Sequence, residues 1–381
     1  MISGNINLLQ KIRERIEREG PISFRNYMEM ALYDPSSGYY MSKVPKIGKE
    51  GDFYTSPDVH PLFGKLLARQ IAEMAGSVPG LDSGFDLVEA GPGKGLLMYQ
   101  ILKELKKGFY PVYEGLRGYL IETSPYFKEV QQALFESDSE LRLKVNWIDS
   151  LDRIAPVQGI VYSNEFFDAF PVHRVIWKGE LKEIYVNFRN GLFCEEIGPL
   201  SNPGIVNYFI RYPVPWIEDQ QAEVSLDAAH WILNAGRAMK CGFVMTIDYG
   251  ERHEALYSVK RKKGTLIGYR NHRTSENPYE NIGQQDITSH LNFSAIGDFG
   301  AEGGLDVLGL VDLSRFLIGL GLVNEMERYA GSVDDPSRDA EYRAMKFLIH
   351  PDGLGPVFKI LIQKKGLDSP RLSGLRYLRG G

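Results

Sequence analysis

The side chains of this 381-residue chain best suited to chemistry are acids at recurring places. Glu89 and Glu122 close short apolar runs that read as strands, and Asp149 follows a third. Glu165 and Asp168 stand three residues apart in Asn164-Glu165-Phe166-Phe167-Asp168-Ala169-Phe170-Pro171. If the chain turns helically there, the pair shares one face, and two carboxylates so placed attract and orient a cationic amine or guanidinium. Between Glu89 and a helical pattern from Leu96 lie Gly91, Gly93 and Gly95. Such glycines remove side chains where a backbone turns sharply and a ligand must come close to it. Their spacing departs from the dinucleotide fingerprint G-x-G-x-x-G, because position 96 is leucine. In a nucleoside-binding crevice an acid after the second strand accepts the ribose hydroxyls, which is the role predicted for Glu122.

The elements that must position these residues follow from periodicity. Residues 5–19 and 24–32 read as helices, the first stopped by Gly20-Pro21 and the second capped by Ser23. Residues 33–56 are turn-rich and aromatic, the composition of a lid. Strands are predicted at 85–89, 119–122, 145–147, 159–164 and 242–248, alternating with helices. This pattern implies a doubly wound α/β fold with a mostly parallel sheet. Between the fourth and fifth strands, 172–177, 181–188 and 192–197 read as an inserted β-meander, with Asn190-Gly191 as its second turn. A helix is expected to begin near Asp286, strands at 305–311 and 357–363, and a fraying tail from Gly366. The domain reading is an N-terminal helical extension and lid at 1–56, a core at 57–365 carrying the insertion 172–222, and a flexible tail at 366–381.

Composition narrows the class. A net charge of −5 argues against general affinity for nucleic acid or anionic membrane. Two cysteines and seven histidines without ligand spacing predict neither a disulfide scaffold nor a metal site. No apolar run reaches membrane-spanning length. One basic cluster, Lys260-Arg261-Lys262-Lys263 with Arg270, His272 and Arg273, suits RNA phosphates, a solvated loop or docking of an acidic protein patch.

The run Glu89-Ala90-Gly91-Pro92-Gly93-Lys94-Gly95 resembles motif I of class I S-adenosylmethionine (SAM) methyltransferases, whose loop wraps the methionine end of the cofactor. With Gly51 to Pro57, Glu122 to Pro125, Asn164 to Pro171, Ile247 to Gly250 and Gly283 to Thr288 in that order, nearly the whole chain looks like the MidA family. Its mitochondrial members are arginine methyltransferases acting in respiratory complex I assembly. The resemblance implies a class I methyltransferase (Rossmann-like) fold, S-adenosyl-L-methionine as donor and a protein arginine as acceptor. It implies Glu89, Gly91, Gly93, Gly95, Glu122, Asp149 and Asn164 as the cofactor set, with Asp149 at the adenine amino group. Glu165 and Asp168 then orient the acceptor, and Lys94 either faces the cofactor carboxylate or is solvated. The sequence shows no transit peptide, so a cytoplasmic, prokaryotic protein is expected, and a respiratory-complex subunit is one candidate partner. A SAM-binding assembly protein and an RNA methyltransferase remain as alternatives, and oligomeric state is left open.

Overall fold

The computed structural model describes residues 3–49, 51–80, 84–330, 336–350, 353, 355 and 357–378. The chain forms two compact units, one from residues 1–53, 167–231 and 250–296, the other from 54–166, 232–249 and 297–381.

The second unit is built on seven strands: β1 (Phe85–Ala90), β2 (Leu116–Ile121), β3 (Val145–Ile148), β4 (Val157–Asn164), β5 (Met239–Glu251), β6 (Asp306–Asp312) and β7 (Phe358–Lys365). Their order is β3-β2-β1-β4-β5-β7-β6. Neighbours from β3 to β5 are parallel, and β7 runs antiparallel to both β5 and β6. All six residues of β1 are buried, as a central strand covered on both faces requires. The helices Leu62–Ala75 and Leu96–Gly108 contribute Leu66, Ile71, Leu97, Ile101 and Leu105 to one apolar core with Phe85, Leu87, Phe243 and Ile360. Strand order reverses between β1 and β4, and in open α/β sheets the crevice beyond the carboxyl ends of such strands is the ligand site. The expected Rossmann-like fold is the observed one.

The predicted fraying of the tail needs correction for its described part. Leu372 is buried, the Gly374 amide donates to Gln70 Oε1 at 3.0 Å, and the Ser373 amide donates to Glu73 at 2.9 Å. An added β-carbon at Gly374 would lie 2.3 Å from the Phe316 ring, so the tail backbone sits directly on the core.

In the first unit the meander forms as predicted, with strands His173–Trp177, Leu181–Arg189 and Leu192–Gly198. Asn190 and Gly191 take left-handed φ of 51° and 77°, the geometry of a tight hairpin turn. Ile22–Ser23 and Gln221–Val224 complete this five-stranded antiparallel sheet. Helices Ile6–Glu19 and Phe24–Tyr33 bury Leu8, Ile12, Phe24 and Met28 with Val172 and Val186. The cap at Ser23 is made, its hydroxyl accepting from the Asn26 amide. No helix begins at Asp286: Asp286–Thr288 is a strand of a three-stranded sheet with Ile267–Arg270 and Arg273–Ser275, and the next helix is Phe293–Glu302. The Asp286 carboxylate accepts from the Tyr40 hydroxyl at 2.8 Å and is buried, so it closes a tertiary contact instead of capping a helix. Among the described residues no helix is long and apolar enough to cross a membrane.

Candidate active site

The loop after β1 is shaped by its glycines. Gly91, Gly93 and Gly95 have φ of 66°, 51° and 77°, in the region that side chains disfavour. A β-carbon at Gly91 would lie 2.4 Å from the Phe166 ring, so the loop passes directly against the chain leaving β4. Glu89, 2% exposed, lies beneath the loop and not on its surface. Its carboxylate accepts from the Tyr162 hydroxyl at 3.0 Å and from the Met98 amide in the first turn of the following helix. Burial nevertheless pushes the carboxyl up to about 8.

Glu122 stands just beyond β2, buried, with its carboxyl raised by desolvation. Oε1 accepts from the Ser124 amide at 2.7 Å and Oε2 from Gln131 Nε2 at 3.2 Å. Gln131 Nε2 also donates to the Gly93 carbonyl at 2.7 Å, and Gln131 Oε1 accepts from Trp147 at 2.8 Å. One glutamine thus ties the glycine loop, the β2 acid and β3 together, a link not legible in the sequence. Asp149 is exposed and ion-paired with Arg153 at 2.9 Å. Lys94 is partly exposed and pairs with the buried Asp58 carboxylate.

The chain leaving β4 does not turn helically, so the predicted shared helical face of Glu165 and Asp168 does not form. Asn164 ends the strand and Glu165 adopts a left-handed φ of 52°, uncommon for a residue with a β-carbon. Glu165 retains some surface, but its carboxyl is enclosed: Oε1 accepts from the Ser56 amide at 3.1 Å and from Asn164 Nδ2 at 3.0 Å. Burial, with smaller repulsion from Asp248 and Asp58, drives the group up to about 8. Asp248, fully buried at the end of β5, accepts from the Phe166 amide at 3.2 Å and holds the turn. Asp168 belongs to the other unit, where it is buried and its charge acts on the Tyr40 hydroxyl. Ser56 lies in the Gly51 to Pro57 motif without a role assigned to it there, and Asp58 lies just beyond that motif, in the short helix that begins at Ser56-Pro57.

The residues fit a nucleoside-sulfonium donor. Gly91 and Gly93 keep part of their surface, and the buried Asn164 Oδ1 and Ser56 Oγ have no hydrogen-bond partner. A sheet of this order with a glycine loop after its first strand and an acid after its second defines a class I methyltransferase.

Comparison with known proteins agrees. Residues 66–311 match the model of a family of S-adenosyl-L-methionine-dependent methyltransferases, and the chain belongs to that family. The Drosophila melanogaster protein arginine methyltransferase NDUFAF7 homolog, mitochondrial, is 26% identical over 97% of this chain and 87% of its own length. The Homo sapiens protein arginine methyltransferase NDUFAF7, mitochondrial, is 25% identical over 98% of this chain and 86% of its own. A crystal structure of a COG1565 superfamily member from Burkholderia thailandensis, bound to S-adenosyl-homocysteine, superposes with a TM-score of 0.87 at 27% identity. That match covers 98% of this chain and 95% of the other. The chain is thus a methyltransferase with S-adenosyl-L-methionine as donor. The cytoplasmic expectation is overturned, since these relatives are mitochondrial proteins.

Proposed function

We propose that the chain transfers the methyl group to an arginine guanidinium of a protein acceptor, and that Glu165 receives that guanidinium. The observation that carries this is the enclosed Glu165 carboxyl, held by Ser56 and Asn164 beside the glycine loop. The relatives that align along nearly the whole chain are named protein arginine methyltransferases, which supports the acceptor class. Gly91, Gly93 and Gly95 hold the donor with Glu122 and Asn164, while Glu89 shapes the loop from below. When bound, the donor supplies an electrophilic sulfonium methyl. Glu165 accepts N–H bonds from the planar guanidinium and so turns one nitrogen toward the methyl carbon. In-line displacement rests on such alignment, which supplies on the order of 7–11 kcal/mol in well-positioned systems. The fixed amide of Ser56 and the Asn164 amide nitrogen keep the carboxyl from swinging away. A respiratory-complex subunit is the first acceptor to test.

Glu165→Gln keeps the size of the side chain and removes its charge. SAM binding by calorimetry should change little, while transfer to an arginine-bearing acceptor should fall by roughly 10²-fold or more. Unchanged transfer, or methyl groups found by mass spectrometry on lysine alone, would reject the reading.

A further inference from the structure

In the first unit, Ile267–Arg270 and Arg273–Ser275 form a hairpin closed by Asn271 and His272, both with left-handed φ, 50° and 58°. Two consecutive non-glycine residues in that region are strained, and such strain gathers at functional loops. The register places Arg270 directly opposite Arg273. Like charges directly opposite on a sheet repel, and among the described residues neither guanidinium has a carboxylate partner. Arg270 is held only by the Asn281 side-chain oxygen. Both arginines line a groove of about 500 Å³ together with Asn271, Thr274, Ser275 and Gln285. Gln285 is 1% exposed, its Nε2 donates to the Asn277 carbonyl at 3.1 Å, and its Oε1 has no hydrogen-bond partner. The turn itself is held by Asp52, whose carboxylate accepts from the Asn271 amide at 2.8 Å and from the Tyr39 hydroxyl at 2.7 Å. Of the neighbouring glutamates, Glu276 faces Lys263 at 3.5 Å and Glu280 accepts from Asn277.

We propose that this groove docks an acidic segment of the protein acceptor, a reading that rests on the proposed protein methylation. A carboxylate between the two guanidinium forks relieves their repulsion and gains charge-assisted hydrogen bonds. The amide and hydroxyl side chains suit the N–H and C=O groups of an extended peptide, and the Gln285 oxygen is an open acceptor for a peptide N–H. The groove has no aromatic side chain on which a base could stack, as single-stranded nucleic acid sites do. Charge complementarity calls for an anionic partner, and the lack of a stacking ring favours an acidic peptide over RNA.

The test uses the full chain with a short fluorescein-labelled Glu/Gly peptide, its Lys/Gly counterpart and a single-stranded oligouridylate, read by fluorescence anisotropy. The Glu/Gly peptide should bind in a salt-sensitive way, and the Arg273→Glu variant should weaken it at least about tenfold. SAM titration, circular dichroism and the urea unfolding curve of the variant should match those of the unaltered chain, which shows that both units fold. With a methylated acceptor in hand, Arg273→Glu should raise KM and leave kcat unchanged. No binding of the Glu/Gly peptide, equal binding by the variant, or tighter binding of the oligouridylate would overturn the groove assignment. An unchanged KM would overturn the acceptor as its occupant. Peptide binding that depends on Arg273 in a chain that methylates no arginine would support the groove and overturn the arginine reading.

Discussion

Glu165 and Glu89 are acids of similar strength placed for different work. Glu165 is set at a backbone angle a side chain adopts only under constraint, and that constraint points its carboxyl at Ser56 and Asn164. A carboxyl lifted to about 8 is largely protonated at neutral pH and accepts poorly from a guanidinium. The acceptor kcat/KM should therefore rise with pH and level off above about 8, and Glu165→Gln should abolish that limb. A flat profile in the unaltered enzyme would count against the group. For Glu89 the consequence is stability. Its folded value near 8 lies above its unfolded one, so the native state binds the extra proton between them. Stability should then decline as pH rises from the ordinary carboxyl range through about 8, by an order of a few kcal/mol. Glu89→Gln should flatten the part of that decline this residue causes, measured by urea unfolding across pH.

At the scale of elements, the glycine loop and the meander turn are governed by local backbone rules, and both are legible in the sequence. Gly91→Ala places a β-carbon against Phe166 at a disfavoured φ. It should lower stability by about 1–3 kcal/mol and weaken SAM binding at least tenfold by calorimetry. Wild-type affinity would show that the loop is structural only. The misread element is the one at Asp286. An aspartate before a run with Phe293 and Ile296 has the form of a helix cap, but Ile287 and Thr288 pair with Gly268 and Ile267 instead. The Tyr40 hydroxyl that decides the matter lies 246 residues away in sequence. The place of Asp149 after β3 is legible in the sequence, and in the structure its exposed side chain pairs with Arg153 four residues on.

At the scale of the molecule, the chain leaves and re-enters the methyltransferase sheet twice, and its C-terminal segment returns to seal the core. Removing residues from Gly366 onward uncovers Phe316 and removes the tail amides that donate to Gln70 and Glu73. Loss of the buried Leu372 alone should cost about 2 kcal/mol or more, seen as a lower urea midpoint. An unshifted midpoint would mean that the segment adds nothing to the unit.

The sequence by itself determined where the main strands lie, the doubly wound α/β class, the glycine loop and the acids at the strand ends, because apolar periodicity and glycine spacing are local properties of the chain. The order of the strands in the sheet came from the tertiary structure. The ordered motifs carried the family as well. The tertiary structure decided which acids face inward and what holds them. Glu165 owes its raised proton affinity to burial and its aim to Ser56, 109 residues earlier, and Lys94 is claimed by Asp58. Desolvation and partner choice arise only when distant segments meet, so spacing alone cannot reveal them.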